Sequence, residues 1–290
     1  MARVCVVGSV NMDLTFKVDS LPSPSETVLA SLLTSAPGGK GGNQAVAAAR
    51  ARARVQFVGA LGDDPAADQL RAHLQANGVG LDGTVALPGP SGTAVIVVDA
   101  SGENTIVVAP GANRQLMAAA GGVRDVIADC DVLLTQLEIP VRTAVAAAHQ
   151  ARSAGAVAIV NASPAGQGRS ALAELAAVAD VVIANEAETS EWPWRSAYLV
   201  TTLGARGARC VSPDDEFWVP APAVKPVDTT GAGDVFAGVL AANWPRNPGS
   251  RAELLVALQR ACAAGALSTL VPGAGDCAPD AEAIDAALRS

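Results

Sequence analysis

Aromatic side chains are scarce in this 290-residue chain: four Phe, four Trp and one Tyr, or 3% of the sequence. Stacking successive bases takes several such rings, so a base-stacking platform is excluded. Basic residues are outnumbered, 20 Lys and Arg against 28 Asp and Glu, for a formal net charge of −8. An acidic surface repels a phosphodiester backbone, which argues against a nucleic-acid partner. Histidine occurs only at His73 and His149, far apart and in helix-like surroundings, so both read as surface residues rather than metal ligands. The five cysteines (Cys5, Cys130, Cys210, Cys262 and Cys277) are odd in number and form no CxxC pair. That excludes a disulfide framework or zinc site as the expected reading and fits a reducing cytoplasm. No uncharged apolar run approaches the roughly 20 residues of a membrane span. The opening MARVCVVGSVNMD meets Asn11 and Asp13 after a short apolar run, as a buried strand does and a secretory leader does not. A soluble, cytoplasmic protein with no membrane partner is expected.

What the chain does contain is Ala, Val and Leu in alternating blocks. Apolar runs at Arg3–Val7, Val55–Val58, Val132–Leu134, Val157–Val160, Val181–Ile183 and Tyr198–Val200 read as strands. Between them, Gly42–Ala51, Pro65–Ala76, Val141–Ala154 and Ser170–Ala177 read as helices. Uninterrupted apolar strands separated by helices imply an α/β fold, a parallel sheet covered on both faces. Leu14–Ala36 and Gly92–Val108 break the rhythm, with strand-like segments and no helix between them. The second reads as a hairpin turning near Ala100–Glu103. The two stretches can build a small sheet serving as a lid over the strand ends, or stand as two ordinary surface hairpins. Later come a hairpin-like Cys210–Val219, a Pro-rich connector, helices Gly233–Ala242 and Ala252–Leu267, and a final short helix.

Four segments carry chemistry. DTTGAGDVFAG at 228–238 runs from glycines into an apolar helix, and unpaired N–H groups at a helix start form an anion site. Asp234 there is either a helix cap or a carboxylate that takes a proton from an attacking hydroxyl. The segment lacks the third glycine of a dinucleotide fingerprint, which disfavours a nicotinamide dehydrogenase. GGKGGNQA at 38–45 is not a Walker loop, because Gly41 follows Lys40, but Lys40 and Asn43 can donate to hydroxyls. GSVNMDL at 8–14 brings Asn11 and Asp13 out of the first strand, where they can bind vicinal hydroxyls or merely shape a turn. NEAE at 185–188 offers Asn185 and Glu188, which can orient a magnesium-bound water or cap a helix.

Taken in order, these segments resemble the ribokinase (PfkB-type) carbohydrate kinase family over most of the chain, from GSVNMDL to TLVPGAGDC at 269–277. The pair GGKGGNQAVAAAR and DTTGAGDVFAG is the specific part. SGENTIVVAPGAN at 101–113 and LLTQLEIP at 133–140 lie nearest the ribose-phosphorylating members. The resemblance implies a ribokinase-like α/β sandwich: 1–13, 37–85 and 112–290 form the body, and 14–36 and 86–111 form a small β lid that also makes a homodimer. It implies that Asn11, Asp13, Gly39, Lys40, Asn43, Glu138 and Asp234 contact a sugar. Gly231, Ala232 and Gly233 would form the anion hole with Asp234 as base, and Asn185, Thr202 and Gly204 would contact ATP. Glu188 would act near Mg2+, indirectly. Asp228 and Thr230, with Ser268, Val271, Gly273 and Cys277, match a monovalent-cation (K+) site. The sequence departs from the family in a short EWPWRSAY connector at 191–198, where Trp192 and Pro193 would end any helix begun after Asn185. The implied activity is transfer of the ATP γ-phosphoryl group to D-ribose. The alternatives are a related kinase acting on fructose, another sugar or a nucleoside, and a silent sugar-binding regulator.

Overall fold

A computed structural model describes residues 1–118, 121–246 and 250–289. The chain opens with β1 (Arg3–Val7), β2 (Asn11–Lys17), β3 (Leu32–Gly38), α1 (Lys40–Arg50), β4 (Arg54–Val58), β5 (Ala60–Leu61) and α2 (Pro65–Ala76). It continues with β6 (Val85–Ala86), β7 (Gly92–Val98), β8 (Asn104–Ala109), α3 (Gly121–Ala128), β9 (Val132–Thr135), α4 (Val141–Ser153), β10 (Val157–Asn161), α5 (Arg169–Ala176) and β11 (Val181–Asn185). The last third holds α6 (Glu186–Glu191), β12 (Tyr198–Thr202), β13 (Ala208–Val211), β14 (Glu216–Val219), α7 (Ala232–Asn243), α8 (Arg251–Ser268) and α9 (Ala281–Ala287).

The main sheet has the order β14-β13-β12-β11-β10-β9-β1-β4. It is parallel from β4 to β12, and β13 and β14 add an antiparallel edge. Alternate residues of a strand face opposite sides, and β1 shows what that does here. Val4 and Val6 join a core with α1, α2, α7 and α8, through residues such as Val46, Leu70, Leu240 and Leu258. Cys5 and Val7 join a second core with α3, α4 and α5, through residues such as Ile127, Ala147 and Leu175. Each fully buried Val or Leu is worth about 1.5–3 kcal/mol, so both faces need their helices. The small bulk of the Ala-rich helices lets them lie close on the sheet.

From β1 the chain winds to β4 on one side, and later strands build outward from β9 on the other. The switch point between β1 and β9 leaves a crevice at the carboxyl ends of the strands, where open α/β sheets bind ligands. A second sheet, in the order β3-β2-β7-β8, stands apart. Its β7–β8 hairpin turns as expected: the Asp99 N–H donates to the Glu103 carbonyl (3.0 Å), and Gly102 adopts φ 88°. The sheet begins earlier than the sequence pattern placed it, because Asn11 already pairs with Gly38 and Gly92. Asn11 and Asp13 are therefore the first and third residues of β2, one of its two inner strands, and lie on one face.

All five cysteines are buried and unbridged. His149 is exposed, but His73 is half-buried, a correction to its reading as a surface residue. Among the described residues, no helix is long and apolar enough to cross a membrane.

Candidate active site

The Gly-rich segment at 228–238 becomes the start of α7. Gly231 is the N-cap, held in the left-handed region at φ 79°, and an added Cβ would lie 2.9 Å from Ala274. Only glycine meets both demands. Asp234 is thus the third residue of the helix, and its side chain caps nothing. Its carboxylate is instead buried against α1: Asn43 Nδ2 donates to Oδ2 (3.1 Å) and Gln44 Nε2 donates to Oδ1 (3.0 Å). The reading of Asp234 as a helix cap is excluded by this geometry. First-turn N–H groups of α7 have no acceptor within the helix, although that of Ala232 donates back to the Thr229 carbonyl (3.3 Å), and a side chain at Gly233 would project into open space. The positive end of the helix therefore faces a cleft lined by Lys40, Asn161, Ser163, Asn185, Glu188, Thr202, Gly231, Gly233 and Asp234.

The opposite side of Asp234 is built from the first two Gly-rich segments. Gly39 (φ 84°) precedes α1, and an added Cβ would stand 2.7 Å from the Asn11 nitrogen. This close crossing brings α1 against the start of β2. Asn11 is fixed by Asn113, whose Nδ2 donates to Asn11 Oδ1 (2.8 Å) and whose Oδ1 accepts from the Val10 N–H (3.1 Å). Glu138 Oε2 accepts from Ser9 Oγ (2.6 Å) and from the Lys40 N–H (3.2 Å). Asp13 is the exception. Its Oδ1 is sealed from water and has no partner among the described residues. Burial, then the carboxylates of Glu138 and Asp234, push its carboxyl up to about 7. Burial also opposes the Lys40 charge, but Asp234, Glu138 and Glu188 outweigh it and hold the ammonium above its ordinary range.

At the far wall, Asn185 and Glu188 form a reciprocal capping box on α6. Asn185 Oδ1 accepts from the Glu188 N–H (2.8 Å), and Glu188 Oε2 accepts from the Asn185 N–H (2.9 Å). Both residues line the cleft as well, so capping and site placement hold together. The helix ends at Trp192, as the sequence predicts, with that ring buried and edge-on to Trp194. Thr202 ends β12 beside them, and Gly204, exposed, opens the following turn outside the residues that line the cleft.

Behind Gly231, two loops are pinned together. The Val227 N–H donates to the Thr269 carbonyl (2.8 Å), while Asp228 accepts from the Thr230 N–H (2.9 Å) and the Gly273 N–H (2.9 Å). Burial works against the Asp228 charge, but these bonds hold its carboxyl below the usual range. Ser268 is buried, whereas Val271 and Gly273 are exposed. Cys277 donates toward the Ala274 carbonyl (3.3 Å), and burial pushes its thiol up to about 11, so only its backbone oxygen suits a hard cation. No cluster of three or more His, Cys, Asp or Glu able to hold a metal occurs among the described residues.

Sequence reasoning assigned no role to Gln44, Gln136, Asn113, Asn161 or Ser163. Gln44, Gln136 and Asn113 stand inside segments already singled out, and polarity at a strand or helix end was their available signal. Asn161 ends β10 and Ser163 follows it, both as isolated polar residues with no spacing to mark them.

A family model for pfkB family carbohydrate kinases matches residues 1–281. A ribokinase of Bacillus subtilis is 38% identical over 253 residues, 83% of this chain and 85% of the relative. A crystal structure of ribokinase from Thermotoga maritima superposes with a TM-score of 0.88 at 30% identity, covering 100% of both chains. An Arabidopsis thaliana ribokinase complexed with ribose and ATP gives a TM-score of 0.89 at 26% identity, covering 100% of this chain and 99% of that one. The chain belongs to the pfkB family of carbohydrate kinases.

Proposed function

We propose that this protein transfers the γ-phosphoryl group of ATP to the 5-hydroxyl of D-ribose. The observation that carries the reading is Asp234, buried, fixed at both oxygens by neutral amides, and set beside the open end of α7. A silent sugar-binding regulator needs no such carboxylate at an anion site. The 38%-identical Bacillus ribokinase and the Arabidopsis ribokinase that binds ribose and ATP support ribose as acceptor.

The sugar lies against Asn11, Asp13, Gly39, Lys40, Asn43 and Glu138. Asp13 suits a ligand that brings hydroxyls through Oδ2, since Oδ1 is sealed and neither oxygen has a hydrogen-bond donor among the described residues. ATP occupies the cleft toward Asn185, Thr202 and Gly204. Asp234 takes the proton of the attacking hydroxyl as the bond to phosphorus forms. The first-turn N–H groups around Gly231, Ala232 and Gly233 stabilise the negative charge of the phosphoryl group in transfer. Lys40 lines the same cleft and adds positive charge there. Most of the acceleration comes from positioning and electrostatics.

Glu188 fits an indirect role at magnesium, since one oxygen is committed to its cap and the other has no partner among the described residues. Magnesium typically keeps several waters and relies on substrate phosphates, so one carboxylate suffices. Bound there, it would neutralise phosphate charge. The oxygen set at Asp228, Thr230, Ser268, Val271, Gly273 and Cys277 fits potassium, because Asp228 is held ionised between two pinned loops. An ion there would stiffen the loop that carries Gly231. The small sheet acts as a lid, with 14–36 and 86–111 as its outer parts. Its exposed Leu32, Leu33, Ile106, Val107 and Val108 support homodimerisation through that sheet. Unbridged cysteines fit action in the cytoplasm.

The test is ATP consumption by the purified protein with ribose, 2-deoxyribose, fructose and adenosine, each with and without potassium. Ribose should be turned over fastest, with magnesium required and potassium stimulating. Turnover on fructose alone would overturn ribose, and no turnover on any acceptor would overturn the kinase.

A further inference from the structure

We infer that Gln136 and Gln44 form a buried amide relay that orients the Asp234 carboxylate, making them positioning residues for the transfer step. The inference rests on the reading of Asp234 as the base. Gln136 directly follows β9, Gln44 lies on α1, and both are fully buried. Gln136 Nε2 donates to Gln44 Oε1 (3.0 Å), and Gln44 Nε2 donates to Asp234 Oδ1 (3.0 Å).

The direction of this chain is set at its end. An ionised carboxylate only accepts, so Gln44 must present its NH2 to Asp234. Its oxygen then faces Gln136, which must in turn present its own NH2. Gln136 Oε1 is left with no partner among the described residues, a buried cost that an incidental contact gives no reason to retain. Two close crossings make room for the relay. A Cβ at Gly8 would fall 2.0 Å from Gln136 Oε1. A Cβ at Gly238 would fall 2.3 Å from the Gln44 carbonyl oxygen, so α1 and α7 touch one helical turn beyond Asp234 on the same face. Asn43 holds the other carboxylate oxygen, so Asn43 and Gln44 together fix the plane in which the proton is accepted.

The test compares two substitutions at Gln136, whose side chain bonds Gln44 rather than Asp234 and which is not among the residues that line the cleft. In Gln136→Glu the new carboxylate draws the Gln44 NH2 toward itself and turns the Gln44 oxygen against Asp234. The charged or titratable groups that face Asp234 (Lys40 of α1, Asp13 of β2 and the Cys277 thiol) stay in place. The expected result is a kcat lower by about 10–10²-fold, with KM for sugar and ATP within about threefold. The acid limb of the kcat profile should move up by about one pH unit. Gln136→Met, of similar bulk but apolar, leaves Gln44 free to keep donating and should cost only about threefold in kcat, with the acid limb unmoved.

A folded Gln136→Glu enzyme with wild-type kcat and acid limb overturns the relay, as does a Met variant that loses at least as much and shifts the limb equally. If Gln136→Glu does not fold, Gln44→Met removes the donor directly. An unchanged kcat in that variant overturns the proposal, and a fall in kcat at constant KM supports it. Near-normal turnover in Asp234→Asn would instead sink the base reading, so the two failures are told apart.

Discussion

Asp234 and Asp13 are two carboxylates near enough for their charges to interact, and the fold treats them in opposite ways. Both oxygens of Asp234 are occupied by amide donors before any ligand arrives. Asp13 has a sealed oxygen with no donor among the described residues and a carboxyl pushed up to about 7. A group that acts in the transition state gains from being fixed in advance, because no reorganisation is left to the reaction. A group that recognises a polyhydroxyl ligand gains from keeping an oxygen free of protein donors, because the ligand's hydroxyls can then bond it without displacing one. Under the proposed function, one carboxylate serves turnover and the other affinity.

That division predicts separable losses. Asp234→Asn keeps the shape and removes the base, and should lower kcat by about 10²–10⁴-fold. Steady-state kinetics would show the loss in kcat with KM nearly constant. Asp13→Asn removes an acceptor of hydroxyl hydrogen bonds and should raise KM for the sugar by about 10–10²-fold with a smaller change in kcat. With the sugar placed as proposed, its hydroxyl donors would favour the ionised form of Asp13, so sugar binding by the wild type should release a proton near neutral pH. Affinity should therefore rise with pH by up to about tenfold per unit below 7 and level off above it. Calorimetry at pH 7 in two buffers of different ionisation enthalpy would detect the proton, and Asp13→Asn should abolish it.

Stability gives the converse sign. The folded-state carboxyl of Asp13 titrates above its unfolded value, so the fold is favoured at low pH and that advantage is lost as pH rises through 7. Asp13→Asn should therefore stabilise the apo-protein at pH 8 by up to about 4 kcal/mol, as thermal melts would show. At pH 4 the difference should nearly vanish. The smallest change is expected at the cation loop. Asp228→Asn should reduce potassium stimulation while leaving sugar KM within about twofold, because the loop acts on Gly231 and not on the sugar side.

The sequence made one side of this contrast more legible than the other. The α/β alternation, the small sheet, the end of α6 at Trp192 and the pairing of GGKGGNQA with DTTGAGD were all readable, since each depends on local pattern or short spacing. That Asp234 is the third residue of α7, with Gly231 as its cap, was not. A helix boundary shift of that size leaves the pattern unchanged, yet it sends the side chain into the site instead of onto the backbone. The partners of Asp234 and Asn11 lie 190 and 102 residues away at Gln44 and Asn113. No periodicity encodes such pairs. The local sequence left Asp13 open between a turn and a hydroxyl-binding role, because its neighbours in the small sheet, Ala36 and Ala94, come from two distant strands.

The division of labour is tested most directly by titrating ribose calorimetrically into Asp234→Asn and Asp13→Asn side by side at pH 7.5. Asp234→Asn should bind within about threefold of wild type while Asp13→Asn binds at least about tenfold more weakly. Weak binding by Asp234→Asn together with wild-type binding by Asp13→Asn would contradict that division.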